Sequence, residues 1–250
     1  MSEIQRILAV TRNDFSYFFR TKWLMAVLLS LNLSDMLVVA LVYGRLMTFD
    51  YFQFFVPAVV IMGLFAASLD TGRRIWLAIR ENVIQYYLSL PISTIGLVIA
   101  YLLAGGLAAL VYSSSLLLIA LIVLPAHAVS TILILLPFLF ILAMGLAGIA
   151  ATLAAVASTH GEYFFAFQQI VQASLLTFST VFYPIEVVQQ YLPPLLVGLV
   201  AANPLSLAAE AIRRFAFSGL PIQPEFLLNM LAASIPFALL GAVAYFMADR

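Results

Sequence analysis

The sequence predicts an all-α polytopic membrane protein: one transmembrane domain of six crossing helices, an N-terminal amphipathic interfacial helix, and an outer re-entrant hairpin between spans five and six. Three observations carry this prediction. Of the 250 residues, 65% are hydrophobic and 9% charged, whereas an ordinary soluble domain is roughly 45–50% apolar and about 25% charged. Residues 82–161 hold no Asp, Glu, Lys or Arg, a run too long for one crossing of about 20 residues. Apolar stretches of crossing length recur along the rest of the chain. A soluble fold of this composition would expose large apolar patches and aggregate. A soluble enzyme, a nucleic-acid binder and a disordered chain are therefore excluded, and the solvent is the lipid bilayer. The formal net charge is zero, so bulk charge names no further partner. The absence of cysteine removes disulfides, thiolate metal sites and Cys nucleophiles.

Residues 1–22 read as an amphipathic helix. Ile4, Ile7, Leu8, Thr11, Phe15, Phe18 and Phe19 follow the i, i+3, i+4, i+7 spacing, with Arg6, Arg12, Asn13, Asp14, Ser16 and Arg20 on the other side. The stretch is too long and too acidic for the n-region of a secretory signal. Such a helix lies in the headgroup plane; a plain membrane anchor and a partner-binding element both fit it. The spans follow at 23–44, 52–79, 95–124, 128–157, 163–183 and 226–247. The charge-free run is broken at Pro125-Ala-His-Ala-Val-Ser130. Between spans five and six, residues 184–225 contain an apolar stretch too short to cross, punctuated by Pro184, Pro193, Pro194, Asn203 and Pro204, which fits a re-entrant segment.

Orientation follows from Lys and Arg in the short loops. With the N-terminus cytoplasmic, eight of the eleven basic residues lie inside and Arg45, Arg213 and Arg214 lie outside. Both termini are therefore expected in the cytoplasm, and residues 70–93 with them. Within that loop, residues 80–93 (Arg80-Glu-Asn-Val-Ile-Gln-Tyr-Tyr-Leu-Ser-Leu-Pro-Ile-Ser93) read as a short helix stopped by Pro91, after which Ser93 or Thr94 caps the next helix. A docking surface for a cytoplasmic partner and an ordinary interfacial turn both remain open for it.

No catalytic constellation is present. The two histidines, His127 and His160, fall on opposite sides of the membrane, and no glycine-rich phosphate loop, G-x-S-x-G elbow or H-E-x-x-H occurs. No cofactor or metal is expected on this chain. Polar residues inside spans are costly. Asn32 and Asp35 lie in span one, Gln168 and Gln172 are i, i+4 on span five, and Ser113, Ser114 and Ser115 interrupt span three. These groups either face a translocation path or subunit seam, or hydrogen-bond between helices within one bundle. Small residues at Gly105, Gly106, Ala109, Ala147, Gly148, Ala151 and Ala155 mark close helix approach, within a subunit or across a dimer seam.

In order and position, these features resemble the membrane subunit of type-2 ABC exporters. The N-terminal helix looks like that family's connecting helix. Arg80-Glu81-Asn82 running to Leu88-Ser-Leu-Pro-Ile-Ser93 is similar to its coupling helix, although Val83-Ile-Gln-Tyr stands where the family usually carries Gly-Thr-Leu/Ile-Glu. Phe182-Tyr-Pro-Ile-Glu186 resembles the turn after span five, and Asn203-Pro-Leu with Glu210-Ala-Ile-Arg213 resembles the close of the outer re-entrant segment. The resemblance implies a permease subunit in the plasma membrane that pairs with a second copy as a homodimer. It would dock two cytoplasmic ATPase subunits, which hold ATP and Mg, through Arg80, Glu81, Tyr86, Tyr87, Leu88 and Pro91. It would export an amphiphilic, glycan, lipid-linked or drug-like substrate by alternating access. Two other classes are weighed against it. A secondary transporter predicts an inverted repeat, and spans one to three do not resemble spans four to six. An intramembrane enzyme needs a nucleophile–base or metal set at one depth, and none is visible.

Overall fold

The computed structural model describes residues 2–20, 22–38, 42, 51–121, 128–157 and 161–248. They form helices and no strand. In chain order these are α1 (Glu3–Arg20), α2 (Lys22–Val38), α3 (Tyr51–Arg80), α4 (Val83–Ser89), α5 (Thr94–Leu121), α6 (Ala128–Val156), α7 (Gly161–Thr177), α8 (Ile185–Tyr191), α9 (Pro194–Ala202), α10 (Pro204–Ala211) running into a π-helical turn Ile212–Phe217, and α11 (Pro224–Ala248).

Four of these helices, α3, α5, α6 and α11, are long and apolar enough to cross a membrane; a fifth crossing is reached if the bent pair α9 and α10 counts as one. The six crossings expected from hydropathy are thus not all met among the described residues. Two expected stretches are not among them: α2 is described only to Val38, and α7 runs for 17 residues, Gly161–Thr177. For α7 the early end has a local cause. The apolar sequence continues to Tyr183, but the helix stops at Thr177 and residues 178–183 run as an irregular turn.

α3, α5 and α6 pack on one another, and α11 lies along α6 in the most extensive pairing among the described residues. Glycines make that pairing close. A Cβ on Gly241 would stand 2.6 Å from Gly148 Cα, and one on Gly148 would stand 2.7 Å from Ala238 Cα. Gly72 of α3 meets the Ala150 carbonyl of α6 in the same way, with 2.6 Å for an added Cβ. Ala147, Ala151 and Ala155 are buried. The small-residue ridges of α5 and α6 therefore serve packing inside one chain.

Two cores result. The larger, with Phe65, Tyr112, Leu116, Leu139 and Phe215, fills the bundle toward the bent pair. The smaller, with Ile75, Trp76, Tyr101, Ala151 and Phe164, lies at the α1 end, where Trp76 stacks on Phe164 at 6.0 Å between centroids. The bundle thus has two structured ends. α1 and α4 close one; the 178–183 turn and the bent pair close the other.

Candidate functional site

At the first end, α1 lies along α5 and buries one side of itself. Val10 and Thr11 are buried, and Thr11 Oγ1 donates to the carbonyls of Ile7 (2.9 Å) and Ala100 (3.3 Å). Asp14, expected on the polar side, is on this inner stripe, because the 3.6-residue period carries Ile7, Val10 and Asp14 to one face. There it meets Arg74, whose side chain is 2% exposed. Arg74 Nη1 donates to the Asp14 carboxylate and to its backbone carbonyl at 3.2 Å. Arg74 also pairs with Asp70 at 3.3 Å and donates to Thr71 Oγ1 at 3.2 Å, while Arg73 takes the other Asp70 oxygen at 2.7 Å. Two carboxylates and two guanidiniums thus balance within one cluster. Burial raises the Asp14 carboxyl above its ordinary value, with Asp70 adding to the rise and Arg74 opposing it.

The segment after α3 is fastened to α1. Asn82 reverses the chain in the left-handed region (φ 58°) and occupies the N-cap position of α4. The helix runs only through Val83–Ser89 and ends before Pro91, since a residue preceding proline is pushed out of the α region. Ser93 Oγ accepts from Gly96 N at 3.0 Å, the N-cap of α5. Three cross-links then reach α1. Arg6 donates to the Pro91 carbonyl, Ser93 Oγ donates to Glu3, and Asn13 Nδ2 donates to Tyr87 Oη at 2.9 Å. Between the two elements lie a cleft of about 140 Å³, reached by Asn13, Asp14, Arg74, Glu81 and Tyr101, and a groove of about 380 Å³, lined by Arg6, Ala9, Tyr86, Leu90 and Ile92.

The sequence-predicted docking residues divide accordingly. Tyr87 and Leu88 are half-buried and Leu88 packs on the smaller core. Their side chains are spent holding α4 in place. Tyr86, at 64% exposed, and Leu90, at 42%, project outward instead. Glu81 sits exposed on the turn at the rim of the cleft, and Arg80 lays its guanidinium 5.4 Å from the Trp76 ring centroid. Pro91 is exposed and lends its carbonyl to Arg6. Sequence reasoning missed Glu3, Arg6, Asn13, Asp14 and Arg74 as site builders. The available signal was the i, i+3, i+4 spacing of Asp70, Arg73 and Arg74, which marks ion pairs inside a helix rather than a loop.

At the other end, the proline- and asparagine-bearing segment is a latch. Pro184 and Pro193 precede α8 and α9 in the N-cap position, and Pro194 and Pro204 begin α9 and α10, where a missing N–H costs nothing. Asn203 caps α10 by accepting from Leu205 N at 2.9 Å, and its Nδ2 donates to the carbonyls of Leu175 (2.8 Å) and Phe178 (2.6 Å) at the open end of α7. α9 and α10 meet at a bend of 66° about this residue. Arg213, counted as an external loop charge, is 8% exposed. It donates to Thr180 O at 2.8 Å, Val181 O at 3.1 Å and Phe54 O at 3.0 Å, pairs with Glu210 at 2.8 Å, and stacks over the Phe54 ring at 3.7 Å. Ser206 Oγ accepts from Thr180 N at 2.9 Å. The irregular turn that ends α7 early therefore has its backbone satisfied by residues about 30 positions later, as buried peptide groups require.

Among the span residues, Asn32 and Asp35 fall on α2, but their side chains lie outside the described residues, as do His127 and His160. Gln172 is half-buried, and Gln168 Oε1 is enclosed on α7 with no hydrogen-bond donor among the described residues. Ser113 and Ser115 donate to carbonyls of their own helix, at 3.1 Å each. No protein-family model matches the chain, and no curated protein matches it.

Proposed function

We propose that this chain is the permease subunit of an ATP-driven type-2 ABC exporter. Two copies enclose a path for an amphiphilic, glycan, lipid-linked or drug-like substrate. A separate ATPase, carrying ATP and Mg, docks below each copy. In this reading the N- and C-termini are cytoplasmic, α2 and α7 complete six crossings, and the bent pair is the outer re-entrant element. Gln168 and Gln172, with Asn32 and Asp35, face the path or the seam between copies.

The observation that supports it best is the anchoring of residues 81–93. A passive interfacial turn needs no cross-links, yet this one is tied to α1 at Pro91, Ser93 and Tyr87 while Tyr86 and Leu90 stay exposed. A rigid, projecting aromatic on a fastened helix suits the transmission of force, because motion of a partner moves the bundle rather than bending a loop. ATP-driven closure can shift the bundle only by its differential contacts in the two states.

The test is a photoreactive phenylalanine at Tyr86 in native membranes. The expected adduct is a protein whose sequence carries a phosphate loop and an ABC signature. Adducts confined to lipid and to the chain itself would remove the exporter reading. The sidedness is checked by single cysteines on this cysteine-free chain: a cysteine at Ser218 should label from outside and one at Gln85 from inside.

A further inference from the structure

α1 presents four different faces, and two of them are covered neither by the bundle nor by residues 81–93. Around the helix, Ile7, Val10 and Asp14 face α5 and α3; next come Ile4 and Leu8, 69% and 57% exposed; then Arg12, Ser16 and Arg20, all exposed; and finally Arg6 and Asn13, which hold residues 81–93. Residues 81–93 sit opposite the apolar stripe, and the Arg12–Ser16–Arg20 stripe faces away from the bundle between the two. With Ile4 and Leu8 turned to a bilayer, that stripe would lie at headgroup depth.

The charges on this helix are not self-compensating. Glu3 and Asp14, its two acids, are engaged by Ser93 and Arg74. Arg12 and Arg20 form no ion pair among the described residues. Their spacing of eight residues places them about 12 Å apart along the axis, on the same stripe. Ser16 Oγ bonds the Arg12 carbonyl at 2.7 Å and leaves the stripe uninterrupted by acid.

We propose that Arg12 and Arg20 bind the anionic headgroups of phospholipids in the leaflet where α1 lies, with Ile4 and Leu8 immersed beside them. Guanidiniums pair phosphate oxygens bidentately, and amphipathic helices with basic flanks bind anionic surfaces more tightly than neutral ones. Because the neighbouring face of α1 carries Asn13 and Arg6, lipid charge acts on the element that positions Tyr87 and Pro91. The lipid site itself rests on the bilayer placement alone and not on the exporter reading.

The experiment uses the full chain in nanodiscs with a fluorophore on Ser16→Cys. Quenching by headgroup-level spin-labelled phosphatidylglycerol is compared with quenching by the same label on phosphatidylcholine. Each arginine at an anionic surface is worth about a fivefold preference, and two up to about thirtyfold. The wild-type ratio should therefore exceed one several-fold at low salt and fall toward one near 1 M salt, where the screening length is about 3 Å. Arg12→Gln with Arg20→Gln should bring it to one at low salt, and Arg12→Lys with Arg20→Lys should restore most of it. A wild-type ratio of one overturns the proposal, as does a glutamine pair that keeps the preference. Loss of Tyr86 cross-linking with the lipid preference intact would instead count against the exporter reading alone.

Discussion

Arg74 of α3 donates to both the carboxylate and the backbone carbonyl of Asp14 on α1, the latter at 3.2 Å, across sixty residues of sequence. The pair welds α1 to the bundle. The two partners are not equivalent. Removing Arg74 leaves Asp14 and Asp70, each with a side chain 11% exposed, facing each other with Arg73 alone to balance them. Removing the Asp14 charge leaves Arg74 with Asp70.

Arg74→Met is therefore expected to destabilise the chain by about 3–5 kcal/mol, the usual cost of orphaning buried charge, and Asp14→Asn by about 1 kcal/mol. The measurement is thermal unfolding in detergent. Equal losses for the two variants would show that the asymmetry is wrong.

The same carboxyl sets a pH dependence. Burial raises Asp14 above its ordinary value of 3.8. As pH falls, the native chain takes up this proton before the unfolded chain does, so the native state binds more protons in the window between the raised value and 3.8. This group's contribution to stability therefore rises as pH falls through that window and is constant above it. Subtracting the unfolding profile of Asp14→Asn from wild type should leave a difference that favours wild type increasingly toward acid. A difference with the opposite slope would contradict the burial of the carboxyl.

Arg213 carries the third expectation. Its planar fork reaches three backbone carbonyls and Glu210 at once, geometry that a lysine ammonium does not reproduce. Arg213→Lys should keep the charge and lose about 2 kcal/mol or more, since at least two buried carbonyls lose their donor. Protection of a cysteine placed at Thr180, buried at 1% exposure, should fall in parallel. Unchanged protection would mean that the bent pair is held by apolar packing and not by the latch.

The long helices were legible because a crossing helix writes its length into the sequence as an unbroken apolar run. α3, expected over 52–79, is Tyr51–Arg80, and α11, expected over 226–247, is Pro224–Ala248. The early end of α7 was not legible, because Phe178, Val181 and Phe182 keep the hydropathy high while the donors that release the backbone come from Asn203 and Arg213. The anchoring of residues 81–93 was legible only in part. Pro91 and Ser93 act locally and announce themselves, but Tyr87 finds Asn13 through a separation of 74 residues. Local chemistry is readable from spacing; pairing across the bundle depends on how helices lie together.

The helix seam tests packing without charge. Gly148 and Gly241 stand where an added methyl meets backbone, not the end of a flexible side chain. Neither helix can yield without separating, so Gly148→Ala should cost about 1–3 kcal/mol. Gly198, with open space around it, is the control, and Gly198→Ala should be neutral or slightly stabilising in the α9 interior. The two variants compared by thermal unfolding in detergent isolate contact from propensity; similar effects would place the seam elsewhere.

What holds residues 81–93 and what they expose are separable. Tyr87 accepts from Asn13 Nδ2 at its hydroxyl and half-buries its ring, whereas Tyr86, with its ring centroid 5.9 Å away, projects outward. Tyr87→Phe removes one exposed hydrogen bond and nothing else. It should cost about 0.5–1 kcal/mol of local stability and raise hydrogen exchange in residues 83–89. Tyr86→Ala removes exposed surface that the fold does not use, so unfolding and exchange should match wild type. An exposed aromatic that serves a partner is an energetic anchor there, commonly worth 2 kcal/mol or more on truncation. If the proposed exporter role holds, Tyr86→Ala should weaken association with the ATPase about thirtyfold while leaving the bundle intact. On the same proposal, Tyr87→Phe should lower coupling of hydrolysis to transport more than it lowers association, because the segment still binds but transmits through a looser joint. Tyr86→Ala with wild-type partner affinity would leave the projecting ring without a role and reduce residues 81–93 to a fastened interfacial turn.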